Sequence, residues 1–367
     1  MTTTHAHAAA PAAKQTSYKT KYTVLALFPF VLTALMVGIF TSAMHRPTPN
    51  NLPVAVVGSS AQQAQGMARS LEKSAGDALD VRVVDTLAEA RRLLLDQEIA
   101  GAYVMPSAQN QDAALYVAGA QGTSLEQVVT KTFTAVAEQQ HVDMRTTDVV
   151  PLPTRDSMGT TSLYVTIGWA MAGFVFVVIM SVAAPELLKV RRLVPVLMGW
   201  SALMALSVWL VVGPVVGALH GHAAHILGLG WLMVFSTGLV TAVFARFAGP
   251  LAAVPAVTLF MFLGVPSSGG ALTPYVESGF FQFLHGVLPT PAAVESVRSI
   301  LYFGGDGVGG HVVTLLVWAA VGLVLNIVAQ LLTHRARRGR AGTQQKDVSE
   351  PLSTNDGAMV DAAVTGA

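Results

Sequence analysis

Of 367 residues, 52% are hydrophobic and 12% are charged, with a formal net charge of +1, whereas soluble domains carry roughly 25% charged residues. That balance gives no electrostatic case for nucleic acid and makes a lipid bilayer the natural solvent. Cysteine is absent, which removes disulfides, thiolate nucleophiles and Cys-type zinc sites from consideration.

Residues 1–22 are rich in Ala, Thr and polar side chains without periodicity and read as a disordered cytoplasmic tail. Residues 23–44 form the first of six apolar runs free of Asp, Glu, Lys and Arg. Its apolar stretch of about 22 residues is longer than the 7 to 15 of a signal peptide, although "TSA" at 41–43 is a tolerable cleavage site, so a retained transmembrane helix is the expectation.

Residues 45–160 read as a folded extracytoplasmic α/β domain. "LPVAVVG" at 52–58 predicts a strand, "SSAQQAQGMARSLEKS" a helix capped by serine, and "LDVRVVD" an alternating strand. "TLAEARRLLLDQE" predicts an amphipathic helix with Thr86 as its cap and Glu89 three residues on. "IAGAYVMP" and "AALYVAGA" predict two more strands, and "SLEQVVTKTFTAVAEQQ" a last helix. The expected order is β-α-β-α-β-β-α.

The five remaining runs are Thr161 to Ala183, Leu193 to Leu219, Ile226 to Ala245, roughly Phe247 to Val265, and Val312 to Leu332. About 20 residues at 1.5 Å each cross a hydrocarbon core of about 30 Å; the fourth of these five is marginal and holds Pro255. Lys14, Lys19 and Lys21, then Lys189, Arg191 and Arg192, then Arg246, then the arginines of "HRARRGR" at 334–340 all fall on one side, which the positive-inside rule makes cytoplasmic, with both termini. The fold expected is an α-helical polytopic membrane protein of the cell membrane with six transmembrane helices: an outer α/β domain between helices 1 and 2, a five-helix core over 161–333, and a basic, then disordered, tail over 334–367.

Three connecting segments hold the candidate site residues. "PELLKVRRLVP" at 185–195, containing Glu186, Leu187, Leu188, Lys189, Arg191 and Arg192, reads from its charge alone as a positive-inside anchor. His220, His222 and His225 have a spacing that could ligate zinc or copper, but no carboxylate or thiol lies nearby, and a polar turn at the headgroup level is the simpler reading. Residues 266–310 are too polar to span and too apolar for a solvated loop; non-helical backbone cannot face lipid, so they must fold back as short helices, one over "YVESGFFQFLHGVL" ended by Pro289 and a second capped by Thr290 and opened by Pro291. Glu295 and Arg298 lie three apart on one face of the second, as an orienting pair. Glu277 reads as a hydrated acid at the outer rim or, alternatively, as a transport residue.

No G-x-x-x-x-G-K-[ST] occurs, so nothing cradles ATP, and "GDGVGG" at 305–310 precedes a transmembrane run and reads as a turn. No H-E-x-x-H or G-x-S-x-G is present either, so no enzymatic activity, cofactor or resident metal is expected. The runs carry no acid or base for a proton or sodium relay.

The N-terminal span, "VVDTLAEARRLLLDQEIAGAYVMP", the five later spans and "PSSGG…P…LHGVLPTPAAVESVRSILYFGG" together resemble the type-2 ATP-binding-cassette (ABC) membrane permeases, in the branch with phage-infection-protein-like sequences. The resemblance implies a permease half that forms a homodimer or heterodimer, is driven by a cytoplasmic ATPase and exports a substrate. It also implies that 266–310 is a re-entrant helical pair and that the 185–195 loop seats on the ATPase, with Glu186, Leu187, Leu188 and Arg191 as the contact candidates. The second function to weigh is a non-transporting receptor or scaffold whose outer domain binds a ligand or envelope component.

Overall fold

The computed structural model describes residues 18–44, 48–108, 110–219 and 221–348. After helix α1 (Tyr18–Met44), the chain builds a five-stranded mixed sheet with spatial order β2-β1-β3-β4-β5, from β1 (Leu52–Val57), β2 (Leu79–Val83), β3 (Gly101–Val104), β4 (Ala113–Val117) and β5 (Met144–Asp148). Only β3 and β4 pair antiparallel.

Strand β1 is flanked by parallel partners and is buried along its whole length, which is why it is a continuous apolar run rather than an alternating one. Leu52, Val54 and Val56 face α2 (Ala61–Ala75) and α4 (Thr123–Gln140), where Leu71, Val129 and Phe133 complete one core. Ala55 and Val57 face the opposite way, onto Ala90, Leu93 and Leu94 of α3 (Leu87–Leu95). Local chemistry starts both N-terminal helices of the domain: Ser60 Oγ accepts from Gln63 N at 3.3 Å, and Thr86 Oγ1 from Glu89 N at 3.1 Å. Strand β5 has no counterpart in the expected order. Its residues "MRTTD" are exposed or half-buried along the sheet edge, so no apolar alternation announces it.

The rest of the described chain is mostly helical. Helices α5 (Thr161–Ala183), α6 (Val190–Leu210) and α11 (Val308–Val348) pack around α7 (Ala223–Ala248). Among the described residues four segments are apolar and long enough to cross a membrane: Thr161–Ala183, Val190–Val215, Ala223–Leu263 and Val308–Leu332. The apolar part of α1 is shorter, Pro29–Met44. Lipid tails provide no hydrophobic drive between helices, so close backbone approach has to hold them together. At Gly173 of α5 a Cβ would lie 2.0 Å from Thr237 Oγ1 and 2.6 Å from the Val234 carbonyl of α7, and at Gly230 of α7 it would lie 2.5 Å from the buried ring of Trp169.

Helix α7 continues through Phe247, where the sequence suggests a new run, and the reversal falls at Gly249, whose φ of 54° is open to glycine. A 3₁₀ turn, α8 (Ala253–Val257) and a wide π-type turn to Leu263 carry the chain back from the end of the bundle near Leu188 and Arg246 to the end near Leu163.

Two short helices follow, α9 (Gly279–Val287) and α10 (Pro289–Tyr302). Both start elsewhere than the sequence suggests. Glu277 and Ser278 are extended, so α9 starts at Gly279 instead of near Tyr275. Helix α10 opens at Pro289, with the extended Leu288 before it, as the residue preceding a proline prefers. Thr290 is therefore inside the helix, and its hydroxyl donates to the Phe260 carbonyl at 3.0 Å rather than capping.

Candidate functional site

The helical bundle has two ends, and each binds a connecting segment through polar groups. At the end nearer the sheet, Phe303 packs with Ala118 and Ala120, and three hydrogen bonds among the described residues join the α/β domain and its linker to the helices. Asn50 N donates to the Tyr275 carbonyl at 2.7 Å, Thr273 N donates to Ser124 Oγ at 3.2 Å, and the Tyr302 phenol donates to Asp156. Asp156 is buried and also accepts from Thr160 N at 3.0 Å and Thr161 N at 3.2 Å, so one carboxylate caps the start of α5 and holds the end of α10. Burial, and then the bond to Asp156, push the Tyr302 phenol up from its ordinary pKa.

Between domain and helices lies a cavity of about 370 Å³, lined by Gln97 and Gln121 from the domain and by Tyr275, His285, Glu295 and Arg298 from the helical side. Glu295 and Arg298 meet across one turn of α10 at 2.5 Å, with side chains 15% and 5% exposed, and Arg298 also donates to the Gly269 carbonyl at 2.8 Å. An arginine buried to that degree is tolerable because both its charge and its donors are matched. His285 Nδ1 lies 2.8 Å from the Ser267 carbonyl, which can only accept, so Nδ1 carries a proton and donates it there. Burial, with Glu295 nearby, raises the Tyr275 phenol.

Glu277 departs from the sequence reading. A hydrated rim acid would be exposed, yet its side chain is 3% exposed and neither carboxylate oxygen has a partner among the described residues. Burial alone pushes its carboxyl up to about 8.

At the other end, the turn Pro185–Leu188 between α5 and α6 is pinned by α7 and α11. The Arg246 guanidinium donates to the Leu188 carbonyl and, through Nε, to Asn326 Oδ1 at 2.8 Å. Asn326 Nδ2 donates to the Leu239 and Gly322 carbonyls, each at 2.8 Å, and Gln330 Oε1 accepts from Val190 N at 2.8 Å. Glu186, Lys189, Arg191 and Arg192 point outward and are exposed. Leu188 is buried and Leu187 partly so, both against the bundle core, which corrects the idea that Leu188 offers contact surface: it anchors the turn from within.

His220 lies outside the described residues, and with it the H-x-H-x-x-H trio as a unit. The rings of His222 and His225 stand 6.0 Å apart. Among the described residues no three His, Asp or Glu side chains gather around a possible metal position. Asp156, Tyr302, Asn326 and Gln330 had no part in the sequence reading, and Arg246 entered it only as a positive-inside charge. For Asn326 and Gln330 a signal exists: they are polar residues inside the apolar run "VLNIVAQ", where an amide needs a partner.

This arrangement can orient a domain and present a charged turn. A family model described as "ABC-2 family transporter protein" matches residues 22–328. Neither a curated protein nor a solved structure matches the chain.

Proposed function

This chain belongs to the ABC-2 transporter family, and from that membership we propose that it is the membrane subunit of an ATP-driven exporter, energised by a separate cytoplasmic ATP-binding-cassette subunit. The family match over residues 22–328 is the observation that carries the reading. It also favours transport over the receptor alternative. As a member of that family the chain is a multi-pass membrane protein and a transport subunit.

The finer features are part of the proposal. Residues 18–44 and 249–265 add two crossings to the four long apolar segments, making six. The one-sided Lys and Arg put both termini and the 185–195 loop in the cytoplasm and the α/β domain outside. Helices α9 and α10 form a re-entrant pair beneath the domain. The functional unit is a homodimer or a heterodimer with a related permease, in the phage-infection-protein-like branch.

The ATPase docks on the outward side of the 185–192 turn, on Glu186, Lys189, Arg191 and Arg192. The turn's polar lock to Arg246, Asn326 and Gln330 supports this, because a push on it reaches α7 and α11 without slack. The test reverses the exposed charges. A Glu186→Arg, Arg191→Glu, Arg192→Glu variant should reach the membrane at the normal level and lose a co-purifying ATPase. Retention of the ATPase by that variant sinks the docking assignment. If the unaltered protein brings down no ATPase, the energy-coupling reading fails and the receptor becomes the better one.

A further inference from the structure

The cavity of about 370 Å³ between the α/β domain and the helices is lined by neutral polar groups that the fold leaves with hydrogen-bonding capacity. On the domain side, Gln121 donates both amide hydrogens, to the Leu94 and Ile99 carbonyls at 3.0 and 3.1 Å, so its oxygen remains an acceptor. Gln282 of α9 does the same across the cavity, donating to the Pro274 and Glu277 carbonyls at 3.2 and 3.4 Å. Thr273 lines the cavity and is 4% exposed, yet its hydroxyl has no partner among the described residues; only its backbone N–H is bonded, to Ser124. The Tyr275 phenol and the Gln97 amide are likewise without partners among the described residues, and both line the cavity. Gln97 holds a left-handed φ of 59°, a conformation that costs a non-glycine residue energy and recurs at ligand sites.

The charged groups of the walls are already matched. Glu295 meets Arg298 at 2.5 Å, Arg298 donates again to the Gly269 carbonyl, and Asp96 faces Arg92 at 3.5 Å. Asp306 is exposed at the rim. An ionic ligand would therefore lose its hydration without gaining an opposite charge that is not already committed, which is unfavourable. A hydroxyl both donates and accepts, so it can satisfy an amide oxygen and a protein hydroxyl together. The Tyr275 ring, Leu125 and Pro274 add an apolar strip that suits a face of C–H groups.

We propose that this cavity binds a neutral sugar, its hydroxyls shared between Gln97 and Gln121 of the domain and Thr273, Tyr275 and Gln282 of the helical side. The volume is at the small end of ligand pockets, which run from about 300 to 1,000 Å³, and suits one or two sugar rings. Because such a ligand touches both walls, it binds the docked arrangement of domain and helices and stabilises it by mass action.

The test uses the full chain in lipid nanodiscs, which avoids sugar-based detergents. Saturation-transfer NMR and thermal melts are run with glucose, galactose, mannose, N-acetylglucosamine, maltose and cellobiose, and with glucosamine and glucuronate as cationic and anionic counterparts. At least one neutral sugar should bind, raise the melting temperature, and bind more tightly than either charged one. Gln97→Gly, which keeps the positive φ, Thr273→Val and Tyr275→Phe should each weaken that binding by about three- to tenfold, the loss of one hydrogen bond. Gln97→Gly lies in a half-buried turn and Tyr275→Phe keeps the ring, so their sugar-free melts should match the parent chain and they carry the test if Thr273→Val is unstable. Absence of binding by every neutral sugar at millimolar concentration overturns the site. Binding that Gln97→Gly and Tyr275→Phe leave unchanged overturns its location, and tighter binding of glucosamine or glucuronate than of every neutral sugar overturns the ligand class.

Discussion

The two ends of the bundle tie down a connecting segment with different chemistry. Near Leu188 the work falls to one arginine and two neutral amides, Asn326 and Gln330, all directed at backbone groups or each other. Near the sheet it falls to Asp156, Tyr302, Glu295 and Arg298, which pair with one another, while the Glu277 carboxyl has no partner among the described residues. Amides do not titrate and guanidinium does so only at extreme pH, so the first lock is indifferent to acidity. The second end is held by ionisable side chains, so protonation can reach it and not the first. Fixing a turn and keeping it responsive are separable properties, set by whether the groups that hold it can ionise.

Removing one member of the buried pair gives the sharpest test of that contrast. Arg298→Met leaves the Glu295 carboxylate buried and uncompensated, at a cost of about 3–5 kcal/mol, and should markedly lower the melting temperature of the purified chain. Adding Glu295→Gln should restore much of the loss; if the double variant is as unstable as the single one, the charge pair is not what matters. Asp156→Ala should cost about 3 kcal/mol, since three donors lose a charged acceptor, whereas Asp156→Asn, which keeps one acceptor oxygen, should lose clearly less in the same melts. At the opposite end, Asn326→Leu should cost about 1–2 kcal/mol, by the same amount at pH 6 and pH 8. A pH-dependent penalty there would erase the distinction between the ends. The smallest effect lies outside both locks: Thr86→Ala removes a helix cap and should cost about 1 kcal/mol, seen as faster proteolysis within the α/β domain with no change in co-purified ATPase.

What the sequence made legible is what short-range chemistry decides. Ser60 and Thr86 cap their helices through an amide three residues away, and Glu295 and Arg298 meet because one helical turn separates them. Strand β5 escaped because an exposed edge strand buries too little to leave a pattern. The role of Asp156 was hidden because its partner Tyr302 arrives from a remote part of the chain, and so was the burial of Glu277, which sits beside Ser42 of α1, Thr48, Asn50 and Asp77, all remote from it in sequence. The positions of α9 and α10 follow from extended residues before each helix, and one proline per helix start is too coarse a signal to choose between Pro289 and Pro291.

The attachments of the α/β domain have a mechanical consequence. Besides the hydrogen bonds Asn50–Tyr275, Ser124–Thr273 and Asp156–Tyr302, the seam holds an apolar patch in which Phe303 packs with Ala118 and Ala120. A seam of that breadth carries torque as well as thrust, so a tilt of α10 is passed to the sheet as a tilt of the whole domain and not as slippage at one point.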